Sequence, residues 1–196
     1  MLAINIKEMM RMALFIFFLI SIGIIVLCVV MVKNIKKDND RFDRVLESSG
    51  FLIDKKTVSG SNTLFVDNTN KRWTVKTGRK QAVKIYSYSD LLEFEVYEDG
   101  DSIAKGKIGS ALVGGLLFGV AGAVIGSAGK KGIKNTCRVL QLRIKVNDLQ
   151  RPEIVMNFIN IETKKDSLVY RSNFEMAKNM AATLSFIQNQ PISAVQ

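Results

Sequence analysis

The chain has 196 residues, with 28 Lys and Arg against 18 Asp and Glu, no His, two Cys and 14 Gly. That length holds one ordinary domain and an anchor, and a hydrophobic content of 47% excludes both a disordered chain and a wholly membranous one. Without His, and with Cys only at 28 and 137, the chain lacks the usual general base, the commonest zinc ligand and any disulfide framework, so no cofactor or metal is expected.

After a tail over residues 1–11, residues 12–32 carry no charge, and fifteen of these 21 are Leu, Ile, Val or Phe. A helix of that length covers about 30 Å, the thickness of a bilayer core. The fifteen residues favour insertion by about 4 to 9 kcal/mol at most, since those near the ends count for less. A cleaved signal peptide is the competing reading. Its apolar region is shorter and ends in small residues, whereas here Lys33 follows directly. The expectation is a retained transmembrane helix. Lys7 and Arg11 precede it, and Lys33, Lys36, Lys37, Arg41 and Arg44 follow. By the positive-inside rule this asymmetry places the C-terminal side in the cytoplasm, giving a single-pass protein of the plasma (inner) membrane.

Residues 33–50 read as a juxtamembrane linker, with a short helix that has Phe42, Val45 and Leu46 at helical spacing and Gly50 just past its end. A β-rich domain over 51–190 follows. Its period-two segments predict strands over 63–67, 72–76, 81–86, 91–98, 138–146 and 153–159, punctuated by turn residues such as Asp99-Gly100. In 91–98, Leu92, Phe94 and Val96 are expected to face one way, and Glu93 and Glu95 the other. In 138–146, Leu140, Leu142, Ile144 and Val146 are expected inward, with Arg143 and Lys145 outward. The opposite charges suit neighbouring strands.

The chain closes with a helix over 172–190. Ser172 and Glu175 match a capping box, and Phe174, Ala177, Ala181, Leu184 and Ile187 form an apolar stripe. Residues 191–196 form a tail that begins with Pro191. Several short strands followed by one amphipathic helix make the fold class α+β: a small antiparallel β-barrel or curled sheet with a helical plug. The order resembles a pleckstrin-homology-like fold, and a generic α+β sheet explains the same periodicities.

Half of the glycines fall in residues 108–129, which carry no charge. Small residues recur at every fourth position, Ala111, Gly115, Gly119, Ala123 and Ser127, beside Gly114, Gly122 and Gly126. On a helix this makes a groove where another backbone approaches closely. Each Gly costs a helix about 1 kcal/mol relative to Ala, so the pattern implies packing. A flexible loop is the alternative. If the flanking strands share one sheet, both ends lie on one side of the membrane, and the consistent geometry is a hairpin over 106–130. A single crossing would separate them.

The run Tyr86-Ser-Tyr-Ser-Asp-Leu-Leu-Glu-Phe-Glu-Val-Tyr-Glu-Asp-Gly100, then Gly114-Gly-Leu-Leu-Phe-Gly-Val-Ala-Gly-Ala-Val-Ile-Gly126, then Lys-rich residues and a strand, resembles uncharacterised bacterial and prophage proteins. In these a glycine-zipper hairpin interrupts a small pleckstrin-homology-like β domain. The resemblance covers residues 50–190 and implies no catalytic residues.

Motifs for dinucleotide binding, phosphate loops and nucleophile elbows are absent. Asp90, Glu93, Glu95, Glu98, Asp99 and Asp101 read as a solvated face rather than a metal site, and Cys137 as a small core residue. Within fourteen residues, Lys71, Arg72, Lys76, Arg79, Lys80 and Lys84 bring six cations and no acid, with Trp73 among them. On a tethered domain this stretch suits anionic lipid headgroups, each cation contributing about 1 kcal/mol near the surface. A core Trp73 with cations lining a solvated hairpin is the bland reading. Nucleic acid is disfavoured, because one Trp makes no stacking series.

The expected function is thus a non-catalytic, membrane-anchored interaction module that binds anionic lipid or a membrane-protein partner and self-associates through the zipper. The alternative is an oligomerising, pore-like effector of the exclusion or lysis type.

Overall fold

The computed structural model describes residues 6–107 and 135–190. The insert residues Ala111, Gly114, Gly115, Gly119, Gly122, Ala123, Gly126 and Ser127 lie outside them. The chain divides into two compact units, Met1–Val45 and Leu46–Gln196.

Helix α1 runs over Ile6–Ser48. The expected transmembrane and juxtamembrane helices are therefore one element, because no Gly or Pro interrupts residues 24–49. It is long and apolar enough to cross a bilayer, and its apolar window is unburied in the structure. The helix ends as the sequence demands. Gly50 takes φ +69°, its N–H donates to the Glu47 carbonyl at 3.0 Å, and the Phe51 N–H reaches back to Leu46 at 3.1 Å. This is a Schellman cap, and its two apolar partners, Leu46 and Phe51, are both buried.

In the second unit, β1 (Lys55–Ser59), β2 (Asn62–Asp67), β3 (Arg72–Thr77) and β4 (Tyr86–Ser87) form one antiparallel sheet in that order. A second sheet has the order β6-β5-β8-β9, from β5 (Leu91–Glu98), β6 (Asp101–Lys107), β8 (Leu140–Val146) and β9 (Glu153–Ile159). A short ladder pairs β7 (Thr136–Cys137) with β10 (Thr163–Lys164). Among the described residues the ladders stay separate, so the arrangement is layered sheets and not a closed barrel. Helix α2 (Leu168–Gln188) packs on β5, β8, β9 and β1. Leu64, Val66, Trp73 and Val75 of the first sheet share one core with Phe94, Val96, Leu142 and Ile144 of the second and with Ala177, Met180, Ala181 and Leu184 of α2.

The central register is the one the charges ask for: Glu93 opposes Lys145 and Glu95 opposes Arg143. Leu140, Leu142, Ile144 and Val146 are all buried. Leu92 departs from expectation. A register shift between Leu91 and Glu93 turns Leu91 into the core and leaves Leu92 exposed, because a bulge adds one residue to the alternation. At the far end of β5, Asp99 (φ +50°) and Gly100 (φ +94°) make the left-handed two-residue turn that suits a hairpin.

Two further expectations are corrected. Residues 81–85 do not form a strand. The Gln81 side chain accepts from the Thr77 N–H at 2.7 Å and donates to the Val75 carbonyl at 3.0 Å, and the Thr74 hydroxyl donates to the Lys84 carbonyl at 2.7 Å. Side chains thus replace a ladder here. Helix α2 also begins a turn before Ser172. Ser167 is its N-cap, accepting from the Tyr170 N–H at 3.2 Å, which extends the apolar stripe back to Tyr170.

Candidate functional site: a cationic rim

β3 is extended, so the cations carried around it cannot form one compact patch. From Arg72 to Thr77 the strand covers about 17 Å. At the Arg72 end the charges serve the fold. Asp67 is fully buried and accepts from the Leu52 N–H at 3.1 Å, the Asn70 N–H at 2.8 Å and the Arg72 guanidinium at 2.7 Å. Burial pushes its carboxyl up, but the hydrogen bonds from Asn70, Arg72 and Leu52 outweigh that and hold it below the usual carboxylate range. Arg72 also donates to the Gly50 carbonyl and stacks over Phe51. Lys71 lies over the Tyr88 ring and donates to Asn68 at 3.0 Å.

Trp73 is withdrawn from the surface. It is 0% exposed, stacked on Tyr86 at 5.1 Å, and donates to the Ser87 carbonyl at 3.0 Å. An amphipathic ring with a satisfied N–H is more stable in the core than facing water. Lys76 is buried as well.

Beyond Thr77 the setting is different. Arg79 and Lys80 are exposed at the start of the connection from β3 to β4, and Lys84, also exposed, lies on its return beside Thr74. The turn between β8 and β9 meets that connection: Lys84 pairs with Asp148 at 2.5 Å, and Arg151 donates to the Thr77 hydroxyl at 3.4 Å. The Lys84 hydrogen bond is the chief cause that keeps the Asp148 carboxyl below its ordinary range. The result is a rim carrying Arg79, Lys80, Lys84 and Arg151 against Asp148 and the nearby Asp90, whose carboxylate caps the Ser87 N–H at 2.8 Å. Sequence reasoning missed Arg151 and the fully exposed Leu149 beside it. The signal for them was a lone leucine between turn residues in Asn147-Asp-Leu-Gln-Arg-Pro152.

The acidic residues do not converge. Glu93 pairs with Lys105 at 3.0 Å and Lys145 at 3.3 Å on the outer face. Glu95 accepts from Tyr97 at 2.6 Å. Asp99 caps the Arg138 and Val139 N–H groups at 2.7 and 2.9 Å. Glu98 lies on the core side, paired with Lys165 and accepting from Tyr170 at 2.8 Å, so it leaves the solvated face expected for it. Among the described residues no group of three or more His, Cys, Asp or Glu is placed to hold a metal ion. Cys137 is fully buried. Burial, with Glu98 and Asp99 nearby, pushes its thiol up to about 12, the opposite of an activated nucleophile.

Layered antiparallel sheets closed by a C-terminal helix, together with a helix long and apolar enough to cross a membrane, make an α+β protein consistent with a membrane-associated module. The family model described as a glycine zipper containing PH domain matches residues 52–160, more than half of the 196 residues. The chain belongs to that family. Comparisons with curated proteins and with solved structures give no match.

Proposed function

We propose that this chain is a single-pass inner-membrane protein, anchored by residues 12–32, whose cytoplasmic domain (51–190) is a non-catalytic module that binds anionic lipid surfaces. The observation that carries this reading is the rim: two connections from different sheets meet, Lys84 on Asp148 and Arg151 on Thr77, with Arg79 and Lys80 exposed on the same β3–β4 connection. Anionic headgroups attract such cations at about 1 kcal/mol each. Tethering raises the local concentration of the surface, so weak attraction suffices.

The rim contains trypsin sites at Arg79 and Lys80, which gives a direct test on the full chain. In proteoliposomes with anionic lipid, cleavage there slows relative to neutral vesicles and recovers at high salt, since exposed charges are screened. The R79E/K80E variant, cut instead at Lys84, shows no lipid dependence at that site. Equal wild-type cleavage rates in both vesicles overturn the reading.

The glycine-rich insert is proposed to supply a self-association surface. β6 and β8 both pair with β5, so the chain on either side of residues 108–134 belongs to one sheet. That supports a hairpin with both ends on one side of the bilayer over the pore-like effector of prophage type. A G115L/G119L variant is expected to lose the crosslinked oligomer, and an unchanged oligomer sinks the zipper role. Dye leakage on expression would favour the effector.

A further inference from the structure

We infer that Leu149 is a membrane-inserting tip, which enters the hydrocarbon edge of an anionic bilayer while the rim cations engage phosphates. The inference rests on the lipid-surface reading above and adds the depth of contact.

A fully exposed leucine on a loose loop says little, because single apolar residues on surfaces are normal. This one stands on a built turn. The Val146 N–H donates to the Pro152 carbonyl at 3.0 Å, and the Asn147 N–H to Asp90 at 2.8 Å. One Asp148 oxygen accepts from the Gln150 N–H at 3.0 Å, and the other holds Lys84 at 2.5 Å and the Tyr86 hydroxyl at 3.4 Å. Both oxygens are engaged, so the carboxylate fixes the turn and ties it to the cationic connection. Leu149 is held out between Asp148 and Gln150, with Arg151 two residues on.

The chemistry selects the occupant. A protein interface needs an apolar core of several residues, and Leu149 stands alone between Asp148 and Gln150, with Arg151 two residues on and Lys84 paired to Asp148. A bilayer needs only an apolar tip that reaches below the headgroups with cations at its base, the arrangement of interfacial membrane contacts. Leu149 is fully exposed, so fold stability does not explain its place.

The test uses the full chain in proteoliposomes. Cys28 is changed to Ser, Cys137 is kept because its buried thiol is unreactive, and a Gln150→Cys site takes an environment-sensitive dye. Quenchers are placed on lipid headgroups or on acyl chains near the carbonyl. With anionic lipid, both quench the dye, and L149D loses the acyl-chain quenching while its thermal unfolding is unchanged. Headgroup quenching alone overturns insertion and leaves the rim reading standing. Acyl-chain quenching that survives L149D overturns the assignment to Leu149. No quenching in either set overturns both.

Discussion

Tyr170, in the first turn of α2, donates a 2.8 Å hydrogen bond to the Glu98 carboxylate at the end of β5, a buried contact between residues 72 apart in sequence. Lys165 pairs with the same carboxylate. Desolvation comes first, and the hydrogen bond to Glu98 second, among the causes that raise the Tyr170 phenol above its ordinary range. Beside this cluster, the Lys165 N–H donates to the Asn135 carbonyl at 2.8 Å. The helix and the β5 hairpin therefore meet at one carboxylate, and Lys165 links it to the chain returning after residue 134.

Removing the Tyr170 hydroxyl leaves a buried charge short of one donor. Tyr170→Phe is expected to lower unfolding free energy by about 1–3 kcal/mol, read from the denaturation midpoint. A change below about 0.5 kcal/mol means that water satisfies Glu98.

Alkali acts on two further buried groups. Desolvation pushes the Tyr88 phenol up to about 12, and burial does the same for Cys137, from 9.0 to about 12. In both, the folded state holds its proton more tightly than the unfolded one. Their contribution is complete below the unfolded values and is lost as pH rises through the folded ones. Stability should fall between about pH 9 and 12, and C137A should flatten the early part of that fall. An equally steep fall in C137A removes the thiol from the account.

Gly106 on β6 sits under the Phe94 ring: a Cβ there would lie 2.4 Å from ring carbons, and Phe94 is fully buried. Gly106→Ala must displace the ring and should cost about 1–3 kcal/mol. In a double-mutant cycle, Phe94→Leu should absorb much of that cost. Strict additivity in the cycle contradicts the contact.

Asp67 joins the chain leaving α1 to the β2–β3 hairpin. Its folded value is depressed, so its contribution is present above the unfolded value of 3.8 and is lost as pH falls through the folded one. Asp67→Asn should cost about 2–3 kcal/mol at pH 7, below the figure for a wholly buried pair, because the Arg72 side chain is 27% exposed. The loss should shrink toward pH 3. A pH-independent difference between the two proteins would show that shape, not charge, is what Asp67 supplies.

Much of the architecture was legible in local patterns. Strands β5 and β9 have the bounds their alternation indicates. The Glu93–Lys145 and Glu95–Arg143 pairings follow from outer-face charges, because side-chain period and cross-strand charge are properties of short segments. β1 and β6 were not legible. Lys55–Ser59 has a single Val, Asp101–Lys107 contains Gly106, and each is recruited by the partner it pairs with.

By itself, the sequence determined the apolar helix, the excess of cations, the inward face of β8 and the cap at Gly50. These depend on neighbours within a few residues. Tertiary structure alone decided where the cations go: Arg72 to a buried carboxylate, Lys84 to Asp148, and Arg79 and Lys80 to a rim shared with Arg151. It also took Trp73 and Glu98 into the interior and left Leu149 outside. Of that fourteen-residue stretch β3 holds only Arg72–Thr77, and only long-range pairing determines which distant turn meets the strand and its connection.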